Sequence, residues 1–113
     1  MSLLQGNAAE DKACKYLVEQ GLTLRCRNYR TRYGELDLVM QDQNTVVCVE
    51  VKYRKRNQYG NAIEFVTAKK LQRIQAAFEF YLLDNNLNST TTPLRIDVVA
   101  IDGNHLQWLK NIG

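Results

Sequence analysis

The segment from Gly34 to Tyr53 restricts the fold more than any other part of the chain. In its first half, Gly34 to Gln41, Leu36, Leu38 and Met40 alternate with Glu35, Asp37 and Val39. In its second half, Thr45 to Tyr53, Val47, Val49, Val51 and Tyr53 take one face and Val46, Cys48, Glu50 and Lys52 the other. A period of two is the signature of a strand. Between the halves lies Asp42-Gln43-Asn44, a turn-like tripeptide. A loop that short makes the two strands antiparallel neighbours.

A simple register across this hairpin sets Asp37 opposite Glu50 and Glu35 opposite Lys52. Opposed side chains share a face, with Cβ atoms about 4.5–5.5 Å apart. A slip of one residue would set Glu50 against Leu36 or Leu38, a poor match. The expected face therefore carries Glu35, Asp37, Glu50 and Lys52 together. Facing carboxylates repel, and a buried pair has to share a proton or bind a cation. Oxygen ligands without histidine or thiolate suit Mg²⁺ or Mn²⁺. Such an ion acidifies a bound water and stabilises charge on a phosphoryl group, and a neighbouring lysine orients that water or holds the charge. This is an outline for phosphodiester hydrolysis. Glu-x-Lys is also common on solvated sheet faces, but inside a valine-rich strand a charged pair is costly unless it is used.

The rest of the chain supplies elements to cover this hairpin. Gln5 to Gln20 reads as a helix with Ala9, Ala13, Tyr16 and Leu17 on one arc and Gly21 as its stop. Glu10 falls at the border of that arc, where it can look toward whatever the helix packs on. Thr23 to Tyr29 reads as a strand. Thr67 to Leu83 reads as a second helix, with Leu71, Ile74, Phe78, Tyr81 and Leu82 as its stripe. After a polar surface loop, Asn85 to Thr92, come a strand from Leu94 to Ile101, a hairpin signal at Asp102-Gly103-Asn104 and a short strand from His105 to Leu109. The order α-β-β-β-α-β-β is that of an α/β chain whose mixed sheet is flanked by helices.

With 113 residues, 45% of them hydrophobic, residues 1–113 read as one domain that needs no disulfide or metal to fold. No apolar run approaches the roughly 20 residues that span a bilayer, so no membrane partner is expected. Met1 to Ala9 lacks the basic and apolar regions of a secretory signal. Cys14, Cys26 and Cys48 are odd in number and widely spaced, and His105 is the one histidine. A structural zinc site therefore lacks ligands, no disulfide framework is expected, and reduced thiols in a cytoplasmic protein are.

The net charge of +3 names no partner, but its distribution is informative. Leu22 to Gly34 holds Arg25, Arg27, Arg30 and Arg32 without an acid, with Tyr29 and Tyr33 interleaved. Val51 to Ile63 holds Lys52, Arg54, Lys55 and Arg56. Lys69, Lys70 and Arg73 open the second helix, where exposed backbone N–H groups also favour anions. Such clusters can follow a nucleic-acid backbone, with Arg30, Arg32, Arg54, Lys69, Lys70 and Arg73 as candidates. Tyr29 and Tyr33 are suited either to stacking on bases or to partial burial. His105 reads as a hairpin residue, Trp108 as an anchor for the last strand, Cys48 as a small apolar filler, and Asp97 as structural, paired with a neighbouring arginine.

Taken together, Gly6-Asn7-Ala8-Ala9-Glu10, Gly34-Glu35-Leu36-Asp37-Leu38-Val39 and Val49-Glu50-Val51-Lys52-Tyr53-Arg54 resemble the YraN-like family of small bacterial proteins. Asn28-Tyr29-Arg30, Gly60, Lys69-Lys70 and Arg95-Ile96-Asp97-Val98-Val99-Ala100 also fit. The resemblance implies the PD-(D/E)xK nuclease superfamily and its restriction-endonuclease-like core, similar in outline to archaeal Holliday junction resolvases. It implies Asp37 and Glu50 as metal ligands, Lys52 as the catalytic lysine and Glu10 as an extra acid from the first helix; Glu35 belongs to the strand motif. The implied activity is a Mg²⁺- or Mn²⁺-dependent endonuclease acting on DNA, branched or structured forms included, and the resolvase analogy implies a homodimer. The alternative is a non-catalytic nucleic-acid-binding or partner-binding module on the same fold.

Overall fold

In a computed structural model, residues 3–54 and 66–113 are described, with side chains from residue 7 onward. The elements are α1 (Leu3–Glu19), β1 (Thr23–Thr31), β2 (Gly34–Asp42), β3 (Thr45–Arg54), α2 (Ala68–Asp84), β4 (Leu94–Asp102) and β5 (His105–Leu109). Their order is the expected one. Lys55, Arg56 and Gly60 lie outside the described residues.

The strands form one sheet in the order β1-β2-β3-β4-β5. Short turns make β1/β2, β2/β3 and β4/β5 antiparallel. β3 and β4 run parallel, and α2 supplies the long crossover that a parallel pair requires. The sheet is therefore mixed and α/β, compatible with a restriction-endonuclease-like core.

Each helix covers one face. Ala9, Ala13 and Leu17 of α1 pack on Leu38, Met40, Val47, Val49, Val51, Val99 and Ile101. Ile74, Ala77, Phe78, Tyr81 and Leu82 of α2 pack on Leu36, Val39, Val46, Cys48 and Ile96. α1 stops at Gly21, whose φ of +104° suits glycine. The Leu22 N–H donates to the Leu17 carbonyl and the Gly21 N–H to the Val18 carbonyl, both at 3.0 Å, which ties off the helix end. α2 starts one residue after Thr67, whose Oγ accepts the Lys70 N–H at 3.1 Å.

Strict alternation fails at one level of the sheet. Leu36 and Leu38 were expected on one face, yet Leu38 joins the α1 core and Leu36 the α2 core. Across the ladder, Asn28 falls between the pairs Arg27↔Leu38 and Tyr29↔Leu36 and takes the left-handed φ of 53°. Asparagine tolerates that conformation better than most residues. Arg27 accordingly reaches α1 while Tyr29 turns to α2. Asp37 sits opposite Asn28, where both strands exchange faces.

No helix among the described residues is long and apolar enough to cross a membrane. Cys14, Cys26 and Cys48 are free thiols.

Candidate functional site

The site forms where β2 leaves β3. The two strands pair in the expected register from Asp42↔Thr45 to Leu38↔Val49. Beyond that point the Asp37 carboxylate takes over from the backbone, and the Val51 N–H donates to its Oδ2 at 2.8 Å. The Asp37 N–H meets Glu50 Oε2 at 3.5 Å, so the two acids adjoin as the register anticipates. β3 keeps its other neighbour throughout, pairing with β4 as far as Arg54↔Asp102. Glu50 and Lys52 therefore ride on an anchored strand beside a gap. Gly34, with φ of +143°, opens β2 on the far side of that gap.

The four expected residues do not share one flat face. Glu10 from α1 joins Glu35 and Asp37, and a carboxylate oxygen of each lies within 4.8 Å of the other two. Glu50 is reached from the other direction. With Glu35 it lines a cavity of about 290 Å³ on the α2 side, together with Thr67, Lys69, Lys70 and Arg73. The acids thus straddle the opening between β2 and β3 instead of standing on one side of the sheet. The cause is the exchange of faces at Asp37.

Burial sets the electrostatics. Glu50 is 4% exposed, and loss of water, followed by repulsion from Asp37, pushes its carboxyl well above the carboxylate range; Lys70 and Lys52 oppose that rise. Asp37 is raised mainly by burial, against the Val51 hydrogen bond, with Glu10 and Glu35 adding repulsion and Lys52 attraction. Lys70 is pushed down to about 8 by burial and by neighbouring Lys52. Burial also raises the Cys48 thiol, which at 0% exposure fills the α2 core.

The acids fit a hard divalent cation. All donors are carboxylate oxygens. Glu10 Oε1 is buried without a hydrogen-bond partner among the described residues, and Arg27 Nη2 approaches it at 3.5 Å. Glu10, Glu35 and Asp37 lie close enough together to ligate one ion, with Glu50 beside Asp37. Lys52, as the chain's second charge on β3, acts electrostatically on both Asp37 and Glu50.

The basic residues separate into two groups. Arg25 and Arg27 hold the fold together: Arg25 Nε donates to the Tyr81 hydroxyl and its Nη1 to Gln41 Oε1, both at 2.8 Å, and Arg27 Nη1 meets Asp11 Oδ1 at 2.6 Å. Arg30, Arg32, Lys69 and Arg73 are exposed, and Arg30 pairs with Glu35 at 3.2 Å. Arg54 is half-buried at the end of β3. Lys70 was a candidate for backbone contact; its placement beside Lys52 and Glu50 was not anticipated. The Thr67 cap was the available signal, because it fixes which residues of the first turn face the sheet. Of the tyrosines, Tyr29 is packed edge-on against Tyr81, with its hydroxyl donating to Asp84 at 3.1 Å, whereas Tyr33 stays on the surface against Phe80.

Residues 9–101 match the model of "Uncharacterised protein family UPF0102". A UPF0102 protein of Vibrio cholerae serotype O1 (El Tor Inaba N16961) is 49% identical over 109 residues, covering 95% of this chain and 89% of that protein. One from Colwellia psychrerythraea is 45% identical over 111 residues, with 95% and 86% covered. One from Neisseria gonorrhoeae is 43% identical over 109 residues, with 96% and 93% covered.

Proposed function

The chain belongs to the uncharacterised protein family UPF0102, the YraN-like family of its motifs, and from the site its strands build we propose that it is a Mg²⁺- or Mn²⁺-dependent endonuclease hydrolysing DNA phosphodiester bonds. The observation that carries this reading is the adjoining pair of half-buried Asp37 and buried Glu50, both raised by lost water despite the positive charge of Lys52. A pair of acids in that state takes up a proton or a cation, and above its titration range the cation is the one left to bind.

Asp37 and Glu50 would hold the ion, with Glu10 and Glu35 closing its remaining side. When bound, the ion would supply an acidified water and charge stabilisation at the phosphoryl oxygen. Lys52 holds a positive charge where negative charge builds on the phosphate. Lys70, lowered to about 8, places an amine in the cavity that Glu50 lines, able to hold or release a proton near neutral pH. Lys69 and Arg73 at the rim, with Arg30, Arg32 and Arg54, would contact the DNA backbone on either side of the scissile phosphate. The carboxylates repel the phosphodiester until the cation is bound, so cleavage is coupled to metal occupancy. By analogy with resolvases the substrates include branched or structured DNA and the working form is a homodimer; the setting that the free thiols suit is the cytoplasm.

The test incubates pure protein with labelled linear, flap, nicked and four-way DNA in Mg²⁺ or Mn²⁺. Metal-dependent cleavage that Lys52→Ala reduces by about 10²–10³-fold supports the reading. Failure to cut any of them, or equal cutting by Lys52→Ala, overturns it, and salt-sensitive binding without turnover would leave a non-catalytic module.

A further inference from the structure

Tyr33 and Phe80 come from different elements, the β1–β2 turn and α2, and their rings meet at the surface with centroids 5.4 Å apart and planes tilted by 39°. Each remains about two-fifths open to water, Tyr33 at 40% and Phe80 at 39%. The core under α2 is already closed by Ile74, Phe78 and Tyr81, so this pair is not needed to seal it. Arg32 spans the pair, with its guanidinium carbon 5.0 Å from the Tyr33 centroid and 5.9 Å from that of Phe80. Its Nη2 also donates to the Tyr33 hydroxyl at 3.0 Å. Tyr33 lines the cavity that contains Glu50 and Lys70. On the other side of Arg32, a second concavity of about 430 Å³ is lined by Tyr29, Arg30, Thr31, Arg32 and Phe80. The aromatic cluster is therefore the divide between a phosphate-sized site and an adjoining basic hollow.

We propose that this cluster is a stacking platform for an unpaired DNA base, so that the site takes DNA with a single-stranded stretch next to the phosphate it holds. The proposal rests on the phosphodiester reading above and narrows its substrate. A duplex hides its base faces in the stack and offers only edges and backbone, whereas an unpaired base offers a π face that any aromatic ring can receive. Arg32 adds a cation beside the rings and a fork for the adjacent phosphate. Continuity with the acid cavity, and the positive charge of Arg30 and Arg32, select a polyanion with aromatic bases over an apolar protein segment.

The probe is a roughly 12-nucleotide oligothymidylate carrying one 2-aminopurine, bound in Ca²⁺ so that turnover does not intervene, beside a duplex of the same sequence. Binding should quench the fluorophore in the single strand. Tyr33→Ala and Phe80→Ala should each lower single-strand affinity roughly tenfold and remove the quench. Duplex affinity should change less than twofold. Tyr33→Phe should behave as the parent, and Phe80→Leu, which keeps the apolar volume but loses the π face, should behave as the alanine variant. Equal weakening of single strand and duplex, or a quench that survives in Phe80→Leu, overturns the platform, as does single-strand binding abolished instead by an apolar peptide competitor. The two readings fail separately: a quench without cleavage in Mg²⁺ removes the nuclease and leaves the platform, and cleavage without a quench does the reverse.

Discussion

Two buried acids on adjacent strands have opposite surroundings. Asp97 on β4 is paired in the ladder with Val49 on β3, one residue before Glu50. It is fully buried, and every side of it is answered. Arg95 Nε reaches Oδ1 at 2.9 Å and Arg95 Nη2 reaches Oδ2 at 3.1 Å; the Trp108 indole N–H donates at 3.0 Å and the Asn111 backbone N–H at 2.8 Å. Arg95 is itself held by Asp42 at 3.0 Å. Glu50 is almost as deep, but the hydrogen bond it accepts from the Asp37 N–H is 3.5 Å long, and Asp37 repels it more strongly than either Lys70 or Lys52 attracts it. A carboxylate that the fold has satisfied is part of the scaffold. One held beside another acid, with only partial compensation, favours a cation or a proton.

The largest effect that separates the two belongs to Asp97. Asp97→Ala leaves the indole N–H, the Asn111 N–H and part of the Arg95 guanidinium without an acceptor, and should cost about 3–5 kcal/mol, read as a lowered urea midpoint. If it costs less than about 1 kcal/mol, the contrast between scaffold acid and site acid collapses.

Next comes the cation. At pH 8, millimolar Mn²⁺ or Mg²⁺ should stabilise the parent by about 2–3 kcal/mol if it reaches a hundredfold excess over its dissociation constant. Calorimetric titration should show the same binding, and Asp37→Asn should remove both signals. A cation that stabilises Asp37→Asn as much as the parent acts elsewhere.

Proton binding provides a smaller test without metal. Asp37 and Glu50 are raised to about 6 and about 7, above their values in an unfolded chain. Their folded-state contribution is therefore complete below the ordinary carboxylate range and is lost as pH rises through those values. Metal-free protein should be more stable at pH 5 than at pH 7.5 by about 1–2 kcal/mol, opposite to the usual acid loss of stability. The window stops short of Lys70 at about 8. A thermal melt that is flat or rises with pH over this range would mean that the two acids are already satisfied, as Asp97 is.

Much of this was legible in the sequence because each signal was local. The period of two in β2 and β3 fixed the hairpin register from Asp42↔Thr45 to Leu38↔Val49. Gly21 marked the end of α1, and the lone charge of Asp97 in an apolar strand, with Arg95 two residues before it, announced a pair. Trp108 and His105 took the anchor and hairpin places expected of them. What was missed depends on backbone geometry that alternation assumes away. The left-handed Asn28 and the departure of β2 at Asp37 exchange faces, so Leu36 goes to α2 and Glu35 joins Glu10. Arg25 and Arg27 looked like their neighbours Arg30 and Arg32, yet Tyr81 and Asp11 claim them. Phe80 had no local mark at all. It matters because α2 places it beside Tyr33.

The smallest effect is the sharpest, because its sign decides. Asp37→Asn keeps an oxygen where Oδ2 accepts the Val51 N–H, so the seam between β2 and β3 retains its link. It removes one negative charge from beside Glu50, Glu10 and Glu35. In metal-free protein at pH 8, where both acids are ionised against their burial, the substitution should therefore stabilise the fold by about 1 kcal/mol, read as a higher melting temperature. If Asp37 were a scaffold residue like Asp97, losing its charge would destabilise the protein at that pH. The same substitution should thus raise stability and abolish cation binding together. That combination is expected of a residue kept for what it binds, at the expense of the fold.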